Sequence, residues 1–269
     1  MHAPAGSGTP AIEGAGVSRR RVAVAGGTGL VGRYVVAALA AAGLEPVVLA
    51  RSRGVDLTTG AGLDDALTDV ATVVDVSNVP TARRREAIDF FTTATGRLLA
   101  SGERAGVRHH VVLSIVGVDR VDRGYYAGKR AQEELALAGP VPATVLRATQ
   151  FHEFPGQILS RTHGPVAWVP QARIQPIAAR EVAQALAELA LGEAVGRAPD
   201  LAGPEEHDLV DLARRLLRAR GPRRVVLPVR PPGAAGRAMA RGALLPTGPG
   251  PRGTQTFDAW LSLEYGGVR

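Results

Sequence analysis

Val22-Ala23-Val24-Ala25-Gly26-Gly27-Thr28-Gly29-Leu30-Val31-Gly32 decides the reading of this chain. An apolar run leads into three glycines at three-residue intervals, and Arg33-Tyr34-Val35-Val36-Ala37-Ala38-Leu39-Ala40 follows with helical character. Strand, tight turn and helix in that order make the first unit of a doubly wound α/β sheet that cradles a nucleotide. Gly26 turns the chain off the strand, Gly29 lets the backbone approach a pyrophosphate, and Gly32 lets the helix pack close to the strand. Free N–H groups and the positive end of the helix dipole then face the phosphates. Thr28, Leu30 and Val31 complete the expected cofactor loop. With 33 glycines in 269 residues such spacings also arise by chance, so the flanking strand and helix carry the reading.

Composition bounds the rest. A chain of 269 residues with 45% hydrophobic and 21% charged residues has the make-up of an ordinary globular protein, commonly one domain at this length. No cysteine is present, which excludes disulfides, thiolate metal sites and a cysteine nucleophile and suits a reducing cytoplasm. No apolar run reaches the roughly 18 residues of a membrane span. Residues 1–18, rich in Gly, Pro and Ala without an apolar h-region, read as a disordered tail and not a signal peptide. The net charge of +7 raises a nucleic-acid reading, but the arginines are scattered and aromatics are only 4%, too few for stacking platforms. Acidic small molecules or phosphates suit that charge better. The partners expected are therefore a small-molecule substrate, no nucleic acid and no membrane, for a monomer or homodimer.

Taken in order, residues 46–50 form a second buried strand ending in Arg51-Ser52-Arg53. A carboxylate about 20 positions after the glycines holds the ribose 2′-hydroxyl of NAD, whereas arginine there accommodates the 2′-phosphate of NADP. Arg51 stands at that place, so NADP(H) is favoured over NAD(H); a solvent-facing arginine at a strand end is the bland alternative. Residues 71–78 form a strand whose tail, Val76-Ser77-Asn78, borders the ligand crevice in a doubly wound sheet. A long helix over 81–105 and a strand over 107–115 ending in Ser114 follow. His109 and His110 open that strand, away from the crevice, and read as structural. Tyr125 and Lys129 then lie four apart on one helical face, with Tyr126 three from Lys129. Lys129 is the only lysine in the chain. A phenol is a poor acid–base group at neutral pH, and an adjacent ammonium favours phenolate. A serine hydroxyl at the neighbouring strand end suits a carbonyl oxygen gaining charge. The spacing favours Tyr125 and leaves Tyr126 open.

Ala25-Gly26-Gly27-Thr28-Gly29-Leu30-Val31-Gly32, Ser114 and Tyr125-x-x-x-Lys129 resemble the short-chain dehydrogenase/reductase superfamily, and within it the atypical NmrA-like NAD(P)H-binding branch. The resemblance spans roughly residues 21–155 and includes the strand and loop Thr144-Val145-Leu146-Arg147-Ala148-Thr149-Gln150-Phe151-His152. It implies a doubly wound parallel-sheet Rossmann fold with a small C-terminal substrate lobe. It also implies Ser114, Tyr125 and Lys129 as catalytic serine, proton donor and nicotinamide-ribose lysine. The loop Thr149-Gln150-Phe151 would wrap the nicotinamide, and His152, following it directly, is the imidazole placed near substrate; a merely packed histidine is its alternative. The third strand region around Val55–Leu57 is abbreviated against the family pattern. The domain organisation expected is a tail over 1–18, a dinucleotide-binding core over 19–155, and further sheet and helix elements with a substrate lobe over 156–269. The remaining histidines lack metal-ligand spacing, so no metal site is expected. The function implied is NADP(H)-dependent oxidoreduction of a small carbonyl or alcohol compound with tyrosine as proton donor. A non-catalytic NADP(H) sensor and a cofactor-retaining epimerase or isomerase are the alternatives.

Overall fold

A computed structural model describes residues 21–121, 123–221 and 224–266. The tail expected over 1–18 lies outside the described residues. β1 (Arg21–Ala25), β2 (Glu45–Leu49), β3 (Val70–Asp75), β4 (His109–Ile115), β5 (Ala143–Ala148) and β8 (Gly196–Arg197) form one six-stranded sheet in the order β2-β1-β3-β4-β5-β8, every pair parallel. α1 (Leu30–Ala41), α3 (Arg84–Ala105), α4 (Tyr125–Ala138) and α6 (Ala179–Leu191) cover it. This is the doubly wound Rossmann-like α/β fold.

Alternation along β1 shows why both faces carry helices. Val22 and Val24 pack with Val35, Leu39, Val182 and Leu186 of α1 and α6. Ala23 and Ala25 point to the opposite face, in a core with Leu98 and Leu99 of α3. Strands buried on both faces must read as nearly continuous apolar runs, and these do. The chain leaves β1 toward β2 on one side and reaches β3 on the other. A crevice therefore opens at the carboxyl ends of β1 and β3.

A second core belongs to later elements: α5 (Phe154–Ser160), β6 (Val166–Pro170), β7 (Arg173–Ile174), β9 (His207–Asp208), α7 (Leu209–Arg220), β10 (Val225–Val229), α8 (Gly233–Ala240) and α9 (Phe257–Tyr265). Ile174, Leu212, Leu216, Phe257 and Trp260 are buried there. β6 pairs parallel with β10, and β7 pairs antiparallel with β9. α5 and β6 have no counterpart in the sequence reading. α5 carries Pro155 and Gly156 in its first turn, and β6, which follows Gly164-Pro165, finds its strand partner about sixty residues later. The region around Val55 forms no strand. Asp56 instead accepts the Thr58 and Thr59 N–H groups at 2.7 and 3.2 Å and the Thr58 hydroxyl at 2.6 Å, closing a local turn. Among the described residues no helix is long and apolar enough to cross a membrane.

Gly32 carries the closest packing between α1 and the loop before it. A Cβ there would lie 2.7 Å from Gly27 Cα and closer still to the Gly26 carbonyl oxygen, with backbone on the other side that cannot swing away. Gly32→Ala is expected to cost roughly 3 kcal/mol in chemical denaturation. Gly29→Ala, which meets only the Gly26 carbonyl oxygen at 3.2 Å from an ordinary φ of −75°, should change stability by less than about 1 kcal/mol.

Candidate functional site

Gly26 turns the chain with φ +79°, its N–H donating to the Leu49 carbonyl at 3.1 Å. A Cβ at Gly26 would meet the Val76 carbonyl oxygen at 2.9 Å and Ser77 Cα at 3.0 Å. The loops after β1 and β3 thus touch, and only a missing side chain allows it. α1 begins after Gly29 with no side-chain cap and no acidic residue in its first turn. Its leading N–H groups therefore have no side-chain acceptor and no carboxylate to repel an anion. Thr28 and Gly29 are exposed at this edge, Leu30 is half-buried, and Val31 is buried in the core between α1 and α6. A pyrophosphate suits this cradle. Arg51, Ser52 and Arg53 form one exposed 3-10 turn directly after β2.

At the end of β3, Val76 N–H donates to the Ala25 carbonyl at 3.0 Å, continuing the ladder toward the glycine loop. Asp75 is fully buried, and its Oδ1 accepts the Ser77 N–H at 2.9 Å. The buried Ser77 hydroxyl has no partner among the described residues. Asn78 is exposed and its Oδ1 accepts the Tyr125 hydroxyl at 2.7 Å. That bond brings the first residue of α4 to the edge where the two loops meet. The Tyr125 ring stands edge-on to Phe91 of α3, centroids 5.5 Å apart. Burial raises the Tyr125 phenol well above its ordinary value, and Tyr126 and Asp75 push the same way. Burial likewise pushes Tyr126 up to about 12.

Lys129 is 4% exposed. Its ammonium donates to the Leu113 carbonyl at 2.6 Å and to Gln132 Oε1, and lies 4.7 Å from the Phe91 ring centroid. Burial pushes it down to about 8, against the opposing pull of Asp75 and Glu133. The expectation that an adjacent ammonium lowers the phenol's pKa is therefore corrected. The ammonium is spent on Leu113 and Gln132, and desolvation of the phenol dominates.

Ser114 sits within β4, in register with Arg147 of β5, and its buried hydroxyl has no hydrogen-bond partner among the described residues. No hydrogen bond joins Ser114 to Tyr125 among the described residues. Glu133 is 0% exposed and accepts both Nε and Nη2 of Arg147, at 2.8 and 2.7 Å, and Nη1 of Arg197. Arg147 also reaches Asp119 at 3.0 Å. Burial opposes ionisation of Glu133, but the Arg147 and Arg197 guanidinium groups hold its carboxyl below the ordinary value. This ion group ties α4, and with it Tyr125 and Lys129, to β5 and β8. His109 and His110 are buried as expected of structural residues, His109 Nε2 lying 2.8 Å from the Thr144 hydroxyl.

Beyond β5, the Thr149 hydroxyl donates to the Gln175 carbonyl at 2.6 Å and serves the backbone turn. Gln150 is 7% exposed, and neither end of its amide has a partner among the described residues. Half-buried Phe151 bridges to Ile177. His152 is 0% exposed, its Nε2 3.0 Å from the Gln255 carbonyl and its ring within 6 Å of the Phe257 and Trp260 rings. It belongs to the core of the C-terminal elements and not to an open face: strand-end position suggested access, and the aromatic residues of α9 removed it. Asp75, Gln132 and Glu133 were not singled out by the sequence reading. A charged residue inside Val73-Val74-Asp75-Val76 was the available signal.

The chain matches no protein-family model. It is 31% identical over 166 residues to (4-alkanoyl-5-oxo-2,5-dihydrofuran-3-yl)methyl phosphate reductase of Streptomyces griseus, which covers 56% of this chain and 52% of that protein. The chain thus spans about half the length of the curated relative it matches. Among solved structures, the NADPH-dependent quinone oxidoreductase of Escherichia coli complexed with NADPH superposes with a TM-score of 0.65 at 17% identity, over 91% of this chain and 99% of that one. A short-chain dehydrogenase/reductase superfamily protein of Agrobacterium tumefaciens with bound NAD gives 0.63 at 20% identity, over 92% and 96%.

Removing the Glu133 carboxylate strands two guanidinium groups, so Glu133→Ala should cost about 3–5 kcal/mol in denaturant unfolding. Because Glu133 is held below its ordinary 4.5, its contribution is complete above that pH and is lost as pH falls through its lower folded value. Acid unfolding should accordingly be less steep below pH 4.5 in Glu133→Gln than in the unaltered protein.

The glycine loop at the β1/β3 crevice, the tyrosine and lysine on α4, and these superpositions converge, and the chain carries the fold of the NAD(P)-binding short-chain dehydrogenase/reductase superfamily.

Proposed function

We propose that this protein is an NADP(H)-dependent oxidoreductase acting on a small carbonyl compound or a carbonyl-conjugated alkene. The observation that carries the reading is the Tyr125 hydroxyl bonded to Asn78 at the edge where the Gly26 and Val76–Asn78 loops touch. A proton-bearing group and a phosphate cradle thus share one crevice. The name of the Streptomyces griseus relative, a reductase of an oxo-dihydrofuran phosphate, supports the substrate class.

Gly26, Thr28, Gly29 and the N–H groups of Leu30, Val31 and Gly32 would hold the pyrophosphate, and Val76, Ser77 and Asn78 would border the ribose. Arg51, Ser52 and Arg53 are exposed directly after β2 and would hold a 2′-phosphate, to which guanidinium gives a charge-assisted grip. Thr149, Gln150 and Phe151 would face the nicotinamide side, Gln150 with an amide free to bond. When bound, the cofactor supplies the hydride. Tyr125, a phenol and so protonated at neutral pH, gives its proton to the substrate oxygen or carbon left electron-rich. Asn78 orients the phenol. Lys129 supplies a buried cation behind it. His152 is assigned to packing of the C-terminal elements.

Monitoring NADPH oxidation over a panel of aldehydes, ketones, quinones and enones tests this, and no turnover on any of them would overturn it. Tyr125→Phe should lower kcat by about 100-fold or more, with NADPH affinity changed less than about threefold. Arg51→Ala should weaken NADPH binding about tenfold while leaving NADH binding nearly unchanged. As Lys129 is pushed down to about 8, the protonated form declines as pH rises through that value, and kcat should fall with it.

A further inference from the structure

Beneath the crevice lies a buried polar chain that the proposed chemistry does not yet use. Gln132, one turn after Lys129 on α4, is 0% exposed. Its Oε1 accepts the Lys129 ammonium, while its Nε2 donates to Asp75 Oδ2 at 2.9 Å and to the Thr95 hydroxyl oxygen at 3.1 Å. The Thr95 hydroxyl in turn lies 3.3 Å from Asp75 Oδ2. The other oxygen of the same carboxylate accepts the Ser77 N–H.

We propose that Asp75 and Gln132 are positioning residues for Lys129: the carboxylate fixes which way the Gln132 amide points, and the amide oxygen so directed holds the ammonium under the crevice. The inference rests on the oxidoreductase reading for its catalytic consequence but not for the linkage itself.

The argument is one of polarity. A carboxylate offers only acceptors, an ammonium only donors, and an amide one of each at opposite ends. Between Asp75 and Lys129 the amide therefore has one stable orientation, NH2 toward the carboxylate and oxygen toward the ammonium. With an amide at position 75, an NH2 group can face Gln132, whose side chain then has a reason to turn. Its own NH2 would then confront the ammonium. Lys129, itself buried, would keep only the Leu113 carbonyl as a hydrogen-bond acceptor. Because Asp75 Oδ1 shapes the turn at Ser77, the same residue joins the cofactor-side loop to the lysine. The charged or titratable groups around Lys129 are Asp75 on β3, His110 on β4, and Glu133 and Tyr125 on α4; α3 contributes Phe91 and Thr95. His110, its Nε2 3.9 Å from Asp75 Oδ2, is pushed down by burial against the opposing pull of Asp75.

The lone lysine makes the test direct. Protein labelled with 13C,15N-lysine carries one labelled side chain, so its titration by NMR reports Lys129 without reference to activity. The signal should titrate near 8 in the unaltered protein. Asp75→Asn and Gln132→Leu should each move the midpoint down by about one unit or more. Each should also lower kcat for NADPH oxidation about tenfold with KM for NADPH changed less than about threefold. An unmoved midpoint in both variants, when their circular dichroism is native, overturns the inference. Should Asp75→Asn not fold, Gln132→Leu decides alone. If no substrate is turned over, the oxidoreductase reading falls, and the titration still decides the Asp75–Gln132–Lys129 linkage.

Discussion

Everything at the crevice depends on backbone meeting backbone where two side chains are missing. Gly26 has no Cβ to strike the Val76 carbonyl, and Gly32 has none to strike the Gly26 carbonyl. The loop after β1 is therefore clamped between the loop after β3 and the first turn of α1. Any larger residue at position 32 would push the helix off the sheet and with it the N–H groups that face the crevice. The constraint is steric and local, so it survives in the bare sequence as a spacing of glycines.

A second layer of organisation is polar and buried. Glu133 gathers Arg147 and Arg197 and so binds α4 to β5 and β8. Four residues earlier, Lys129 is set by Gln132 and Asp75, and four before that Tyr125 reaches Asn78. Tyr125, Lys129 and Glu133 lie at four-residue spacing along one helix, so one face of α4 carries three polar groups into three different surroundings. Each is costly to bury alone and is tolerated because the strands beside it supply a partner. Desolvation in this layer explains why the Tyr125 phenol moves up while the Lys129 ammonium moves down.

The order of strands and helices through β5 was legible from periodicity, because strands buried on both faces must be apolar throughout and helices must show a 3.6-residue repeat. Arg21–Ala25 and the helix after it emerge almost as read. The elements from α5 to β6 were not legible: a strand defined by pairing with β10 carries no local mark of its partner. The region around Val55 was anticipated as short, and the side chain of Asp56 closes a turn there where a strand would need extended backbone.

By itself the sequence determined the glycine turn, the doubly wound order of its elements, and the sharing of a helical face by Tyr125 and Lys129, since each follows from spacing along the chain. Only the tertiary structure decided what those side chains meet. Spacing shows which residues share a face, but not which residues of other elements lie opposite it. Asp75, Gln132 and Glu133 acquire their significance from partners on β3, β4, β5 and β8, and His152 loses its access to the aromatic residues of α9. Burial, which sets the direction of the Tyr125 and Lys129 shifts, is likewise a property of the packed whole.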